Sequence, residues 1–468
     1  MAQASGRKRD LTAVAIVGAG PAGIAAAATL VAHGVRPVLI DEAEMPGGQV
    51  YRRPPDEIGH DMARLLGSEV AGFRRFHDSA NRVVQSVDYR PSTLAWGVQD
   101  GALWTATPAG KAERLKFGAL ILATGATDRV LPAKGWTLPG VFALGGSQAI
   151  LKGQGCLIGR RVAFCGSSPL LYLAALQHRR MGAEVVAVLD TTPFAAKVAA
   201  LPNLTAAPGV LLRGLGLMAR LRRWGIRIEH GVRLVEFVDD GHGGGVSAIR
   251  YRDAAGHPGE VACDAAALGY GLRPESQLAE LAGCEFRYDP LFRQWFPVMD
   301  AGQRGAPGVY LAGDSSTIGG AEAAAVSGAI AAGSVLRDLG IRNVPDQTPL
   351  RRKLNRLLRF QAGLAQAFAW PSDVAGDIPD DVSVCRCEAV TAGELRAALS
   401  RPFGADELNR LKAQTRCGMG RCQGRYCELA AGEIAAAALG RDREAMGRLR
   451  GQAPVKPIPL SAATDGEA

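Results

Sequence analysis

The chain has 468 residues, 47% of them hydrophobic and 21% charged, which excludes a disordered or fibrous polymer and leaves room for about three packed domains. Lysine and arginine number 54 against 45 acidic residues, a net charge of +9, with concentrations from Arg213 to Arg227 and at Arg351, Arg352, Lys353, Arg356 and Arg359. No aromatic platform or reading module accompanies these charges, so they read as solvated helix faces, with docking of an acidic partner or anionic cofactor as the alternative, and no nucleic-acid partner is expected.

The first apolar stretch, Leu11 to Val31, is interrupted by Gly18, Gly20, Pro21 and Gly23, and Arg7-Lys8-Arg9 alone do not make a signal. Stable membrane insertion is therefore not expected, and a cytoplasmic protein is. Within the stretch, Val14 to Val17 reads as a buried parallel strand and Gly18-Ala19-Gly20-Pro21-Ala22-Gly23 as a tight turn opening an alanine-rich helix. A second apolar run, Pro37 to Ile40, ends in Asp41-Glu42. This is the dinucleotide fingerprint: Gly18 permits the turn, Gly20 lets backbone approach a pyrophosphate, and Gly23 lets helix pack on strand. The helix N-terminus faces the anion, and the acid, Asp41 by count, accepts from ribose hydroxyls.

Three further segments follow: Gly47-Gly48-Gln49, the strand end Ala123-Thr124-Gly125, and the strand end Gly313-Asp314. They resemble the segments that complete the FAD site in two-dinucleotide-fold flavoproteins of the glutathione-reductase-like superfamily. That resemblance implies FAD held by Gly18, Gly20, Pro21, Ala22, Gly23, Asp41, Glu42, Gly48, Gln49, Ala123, Thr124, Gly125, Gly313 and Asp314. It gives Asp314 the ribityl–phosphate end.

From Arg161 the strand–turn–helix–strand pattern repeats and closes at Asp190, but the turn reads Gly166-Ser167-Ser168-Pro169-Leu170-Leu171. Ser168 stands at the second glycine position and Leu171 at the third, where a side chain separates helix from strand. Productive NAD(P)H binding is not expected, and the domain is either scaffold or the seat of a nucleotide without hydride transfer. Before residue 380 there is no CxxC, which excludes a dithiol of the thioredoxin-reductase type, and Cys165 reads as a buried small residue. His33, His60, His77, His178, His230, His242 and His257 each read as structural; none bids for general base.

Thr348-Pro349 starts a helix with an apolar stripe at Leu350, Leu354, Leu357, Leu358, Leu364 and Phe368, stopped by Trp370-Pro371 and expected to pack on the flavin domain. Five of the nine cysteines then crowd together: Cys385-Arg386-Cys387, a capping box Thr391-x-x-Glu394, a second short helix from about Asp406, and Cys417, Cys422 and Cys427 on a glycine-rich stretch. An odd count with this spacing is not a disulfide framework, and the lack of a nearby His disfavours zinc-finger spacing, leaving a Cys₄ zinc site as the minor alternative. Thiolates on glycine-rich loops suit an iron–sulfur cluster. The segment resembles the BFD-like (bacterioferritin-associated-ferredoxin-like) 2Fe–2S module. Four ligands are needed: Cys385, Cys387, Cys422 and Cys427. Gly418 to Arg421 lead into the loop and Gln423 onward into a helix, so Cys417 is held in reserve.

The order of parts resembles one group over nearly the whole chain. It comprises the A (alpha) subunits of opine oxidases, D-hydroxyproline and L-proline dehydrogenases, hydrogen cyanide synthase and heterotetrameric sarcosine oxidase. The match is carried by Gly47-Gly48-Gln49-Val50-Tyr51-Arg52, Leu138-Pro139-Gly140-Val141, Cys385-Arg386-Cys387-Glu388 and Thr415 to Arg425. Sarcosine oxidase alpha chains carry a long further extension, and with the sequence ending at Ala468 that member of the group is the least expected.

The expected fold class is α/β: two Rossmann-like dinucleotide folds, glutathione-reductase-like, plus a small helical C-terminal 2Fe-2S module. The expected domains are 10–152 and 273–342 for FAD, 153–272 for the degenerate second fold, 343–379 for a connector and 380–450 for the cluster. The resemblance implies an electron-transfer subunit of a heteromeric amino-acid or opine dehydrogenase. A flavin-containing B (beta) subunit would oxidise the C–N bond, FMN can lie at the interface between subunits, and a small third subunit can be present. The alternatives are a self-contained NAD(P)H-dependent FAD/2Fe-2S reductase and a non-catalytic redox sensor or assembly partner.

Overall fold

The computed structural model describes residues 13–464. Arg7, Lys8, Arg9, Leu11 and the expected domain start at residue 10 lie outside the described residues.

Val14–Val17 is wholly buried and pairs in parallel with Val38–Ile40 on one side and Ala119–Leu122 on the other, Ile16 facing both Leu39 and Ile121. The sheet is completed by Asp88–Arg90 at one edge and by Val309–Leu311 and Arg304–Ala306 at the other. Residues from both ends of the first 340 thus share one sheet, because continuous Val/Ile/Leu runs are stable only where both faces are covered. The helices Pro21–Val31 and Gly320–Asp338 cover one face in close mutual contact, and a Cβ added at Gly328 would lie 2.0 Å from the Ala22 carbonyl oxygen.

A second parallel sheet orders Arg227–His230, Glu184–Asp190, Arg161–Gly166, Ala265–Gly269 and Val141–Ala143. Two antiparallel three-stranded sheets, Leu94 to Lys116 and Arg233 to Ala262, fill the crossovers.

The helix Thr348–Ala367 is capped one residue earlier than expected: Gln347 is the flanking residue, and Asp346 accepts from both the amide and the hydroxyl of Thr348. It packs on more than the first nucleotide fold. Leu354 and Leu357 meet Val326 and Ile330 of Gly320–Asp338, while Phe360 and Ala367 meet Ala200 and Leu204 beside the second sheet. In the C-terminal module the capping box forms as expected, Thr391 accepting from the Glu394 amide and Glu394 from the Thr391 amide. Gln423 does not begin a helix. Gln423 and Gly424 have φ of 51° and 80°, left-handed values that keep the chain in a turn until Glu428–Leu439 starts.

No helix among the described residues is long and apolar enough to cross a membrane.

Candidate functional site

Four separated segments converge at the C-terminal edge of the first sheet. Gly18 has φ of 107°, and a Cβ there would lie 2.3 Å from the Ala123 carbonyl oxygen, so the first turn and the Ala123-Thr124-Gly125 strand end touch backbone to backbone. A Cβ on Gly23 would lie 1.7 Å from the Gly18 carbonyl oxygen. Across the crevice Gly48 faces Gly20, and Gly313 faces Ala22. Pro21 is the first helical residue; no side chain caps the helix and no acid occupies its first turn, leaving its N–H groups for an anion. Asp41 is half-buried and accepts from the Ala19 amide at 2.5 Å and the Ala43 amide at 2.7 Å. Burial still raises its carboxyl above the ordinary value. Asp314 accepts from the Gly319 and Gly320 amides at 2.8 and 3.1 Å, and burial likewise raises it. Of the other expected residues, Gln49 is exposed beside Gly48, and Glu42 is exposed and paired with Lys456. A cradle in which Cβ atoms would fill the space, with free amides and carboxylates for hydroxyls, fits a dinucleotide.

All five C-terminal cysteines lie together, and none of the nine is in a disulfide. The sulfurs of Cys385, Cys417 and Cys427, all buried, are within 4.8 Å of one another. Cys387 is exposed and its thiol meets that of half-buried Cys422. A cavity of about 230 Å³ is lined by Cys385, Cys387, Cys422 and Cys427, with Trp136, Phe142, Arg386 and Tyr426. Cys417 does not line it. Hydrogen bonds from the Cys417 and Cys427 thiols lower Cys385 well below the ordinary thiol value, and the Cys427 thiol lowers Cys422. Thiols lowered in this way suit soft-metal ligation. Gly420 is required here, because a Cβ would stand 2.2 Å from that of Cys387.

The two sites are bolted together by residues that motif reasoning missed. Arg273 donates to Glu428 at 2.8 Å and to the Arg425 carbonyl at 3.1 Å, and Gln277 donates to the Gln423 carbonyl at 2.8 Å. Between them Glu275 accepts a bidentate pair from Arg425 at 2.6 and 2.7 Å. The signal available in the sequence was the alternation Arg273-x-Glu275-x-Gln277, polar residues at every second position after an apolar strand. Residues 451–460, which carry no motif, also return to the flavin domain: the Val455 amide donates to the Trp96 carbonyl, and Lys456 reaches Glu42.

The second fold keeps the left-handed first glycine, Gly166 with φ of 126°, but its crevice holds the chain's own connector. Ser167 donates to the Ala369 carbonyl at 2.9 Å, and Phe368 packs edge-on against Tyr172 with the Lys197 ammonium 4.9 Å from its ring. Trp370 is held between Tyr270 and the Arg129 guanidinium. Asp190, the acid that would meet a ribose, is fully buried and already bonded to the Tyr172 hydroxyl at 2.5 Å, to the Lys197 ammonium at 2.9 Å and to Thr192. Burial opposes its charge, but His230, Lys197, Thr192 and Tyr172 outweigh burial and hold the carboxyl below its ordinary value. The thiol of Cys165 is buried and raised by desolvation, as expected of a structural cysteine.

Residues 12–333 match the family model described as pyridine nucleotide-disulphide oxidoreductase, and residues 383–437 match the BFD-like [2Fe-2S] binding domain. The A subunit of opine oxidase from Rhizobium meliloti (strain 1021) is 35% identical over 464 residues, covering 96% of this chain and 98% of the relative. The hydrogen cyanide synthase subunit HcnB of Pseudomonas aeruginosa is 34% identical over 458 residues, covering 96% and 97%. Among solved structures, L-proline dehydrogenase from P. horikoshii superposes with a TM-score of 0.67 at 20% identity, covering 96% of this chain and 79% of that one.

Proposed function

Because the chain belongs to the pyridine nucleotide-disulphide oxidoreductase family, joined to a BFD-like [2Fe-2S] domain and akin to the A subunits of opine oxidases, we propose that it is the electron-transfer subunit of a heteromeric dehydrogenase. The substrate class is an amino acid or opine with a secondary amine or imino group. Its C–N bond is oxidised in a flavin-containing B (beta) subunit. FMN is a candidate at the interface between the two, and a small third subunit is a candidate partner. Two relatives are themselves named as subunits.

FAD and the 2Fe–2S cluster, when bound, supply two-electron and one-electron carriage respectively. The chain's own residues hold them. The turn Gly18-Ala19-Gly20-Pro21-Ala22-Gly23, with Gly48, takes the pyrophosphate, Asp41 the ribose hydroxyls, and Gly313-Asp314 the ribityl end. Cys385, Cys387, Cys422 and Cys427, the four that line the cavity, hold the cluster. Each iron of such a cluster takes two thiolates, so the close trio Cys385, Cys417 and Cys427 cannot all bind one iron. Cys417 is the supernumerary thiol.

The observation that carries the reading is the occupied crevice of the second fold. With Phe368, Ala369 and Trp370 in it and Asp190 satisfied internally, nicotinamide has no prepared seat, whereas the cysteine loop is bonded to the flavin strand end. The expected result on co-purification with a flavin-containing partner is substrate-dependent reduction of the cluster in the complex, read by electron paramagnetic resonance. An amine that reduces the isolated chain equally well would overturn the assignment of C–N oxidation to the partner. Cys417→Ala is expected to keep its iron and Cys422→Ala to lose it, and the reverse pattern would exchange their roles.

A further inference from the structure

We infer that Glu275, acting through Arg425, is a positioning residue that couples the two cofactor sites: occupancy of the dinucleotide cradle steadies the second cysteine loop, and the cluster in turn steadies the cradle. The inference rests on the cofactor sites assigned above and adds a linkage between them.

The connection is continuous at one residue. The Glu275 amide donates to the Gly125 carbonyl at 2.9 Å, and its carbonyl accepts from the Thr124 hydroxyl at 2.5 Å, so its backbone is fastened to the flavin strand end from both sides. Its carboxylate leaves in the other direction to the Arg425 guanidinium. Arg425 donates onward to the Cys422 carbonyl at 3.1 Å and the Val455 carbonyl at 2.6 Å. Side-chain exposure of the pair is 11% for Glu275 and 8% for Arg425. The strand leaving the cradle, Ala126–Asp128, is also zipped antiparallel to Leu272–Pro274, which places Arg273 on Glu428 at the start of the last long helix.

A surface ion pair between mobile side chains transmits little. A buried bidentate pair with both backbones anchored differs, because moving either end breaks charge-assisted bonds that water does not replace. A displacement of Thr124 and Gly125 is therefore felt at the Cys422 carbonyl, three bonded steps away. Linkage makes the effect reciprocal in binding free energy.

The test uses the full chain isolated anaerobically with both cofactors, with FAD then removed from half the sample by high-salt dialysis. Iron release to a colorimetric chelator is timed with and without FAD. Wild type is expected to lose iron about tenfold faster without FAD. In Glu275→Gln the ratio is expected to fall close to one, because release becomes fast in both samples. Arg425→Lys, which keeps the charge but cannot form the bidentate pair, is expected to behave the same way and covers the case in which Glu275→Gln does not fold. A wild-type release rate indifferent to FAD, or a variant that keeps the full ratio, overturns the coupling while leaving the cofactor sites standing. A wild-type chain that binds no FAD or no iron overturns the cofactor reading itself, and the coupling with it.

Discussion

At the third position of the first nucleotide turn, Gly23 lets the helix settle so close that any Cβ would overlap the Gly18 carbonyl. At the same position of the second turn, Leu171 is fully buried and packs with Leu144, Phe164 and Tyr172 between helix and sheet. The acids differ in the same sense. Asp41 bonds to backbone amides at the crevice rim and is raised by burial, whereas Asp190 is surrounded by Tyr172, Thr192, Lys197 and His230 and is lowered. The two folds share the order of the four parallel strands around the turn and a left-handed first glycine. What separates a nucleotide site from a scaffold is thus whether its polar groups are left for a ligand or satisfied within the chain.

The largest effect is expected where the folds are exchanged at one position. Gly23→Leu should abolish FAD binding and soluble expression, since backbone carbonyl cannot move aside, while Leu171→Ala should cost about 2–5 kcal/mol in denaturant unfolding with FAD content unchanged. Equal flavin loss in both variants would break the comparison.

Next comes Asp190→Asn, which leaves a buried ammonium without its counter-charge and should cost about 3–5 kcal/mol at neutral pH. Its pH dependence has a definite sign. A folded carboxyl lowered from 3.8 contributes stability that is present above that value and lost as the pH falls through the folded one. Asp41 runs the other way: its raised carboxyl costs stability as the pH climbs above 3.8 through the raised value. Asp41→Asn should therefore shift the unfolding free energy of the flavin-free chain by only about 1 kcal/mol and flatten that acid-side slope, and a loss comparable to Asp190→Asn would contradict this assignment.

An effect smaller than that of Asp190→Asn but larger than that of Asp41→Asn is expected from Phe368→Ala, which empties part of the second crevice at a half-buried position. About 2 kcal/mol should be lost, below the cost of a fully buried aromatic, with no gain of NADH binding because Asp190 stays satisfied. Calorimetric titration showing tight NADH binding in this variant would mean that the aromatic alone closes a working site.

Much of this was legible in the sequence because local chemistry decides it. The turn Gly18 to Gly23 must be glycine for steric reasons that need no tertiary knowledge, and a CxC followed by a glycine-rich cysteine stretch has few other uses. The altered turn at Ser168 and Leu171 announced a changed second fold. It could not reveal what fills the crevice, because Phe368 arrives from about 200 residues later and its helical stripe looks like ordinary core. Glu275 and Arg425 were hidden for the same reason: 150 residues separate them, and an ion pair leaves no periodic trace. The choice among five cysteines depends on which thiols share a cavity, a property of two loops and a sheet end together.

The most direct test of the account is anaerobic addition of NADH and NADPH to the isolated holoprotein, with flavin absorbance followed in time. No bleaching by either nucleotide is expected, while a chemical reductant bleaches the flavin fully. Rapid bleaching by NADH or NADPH would show that the second fold still seats a nicotinamide, and would make the chain a self-contained reductase.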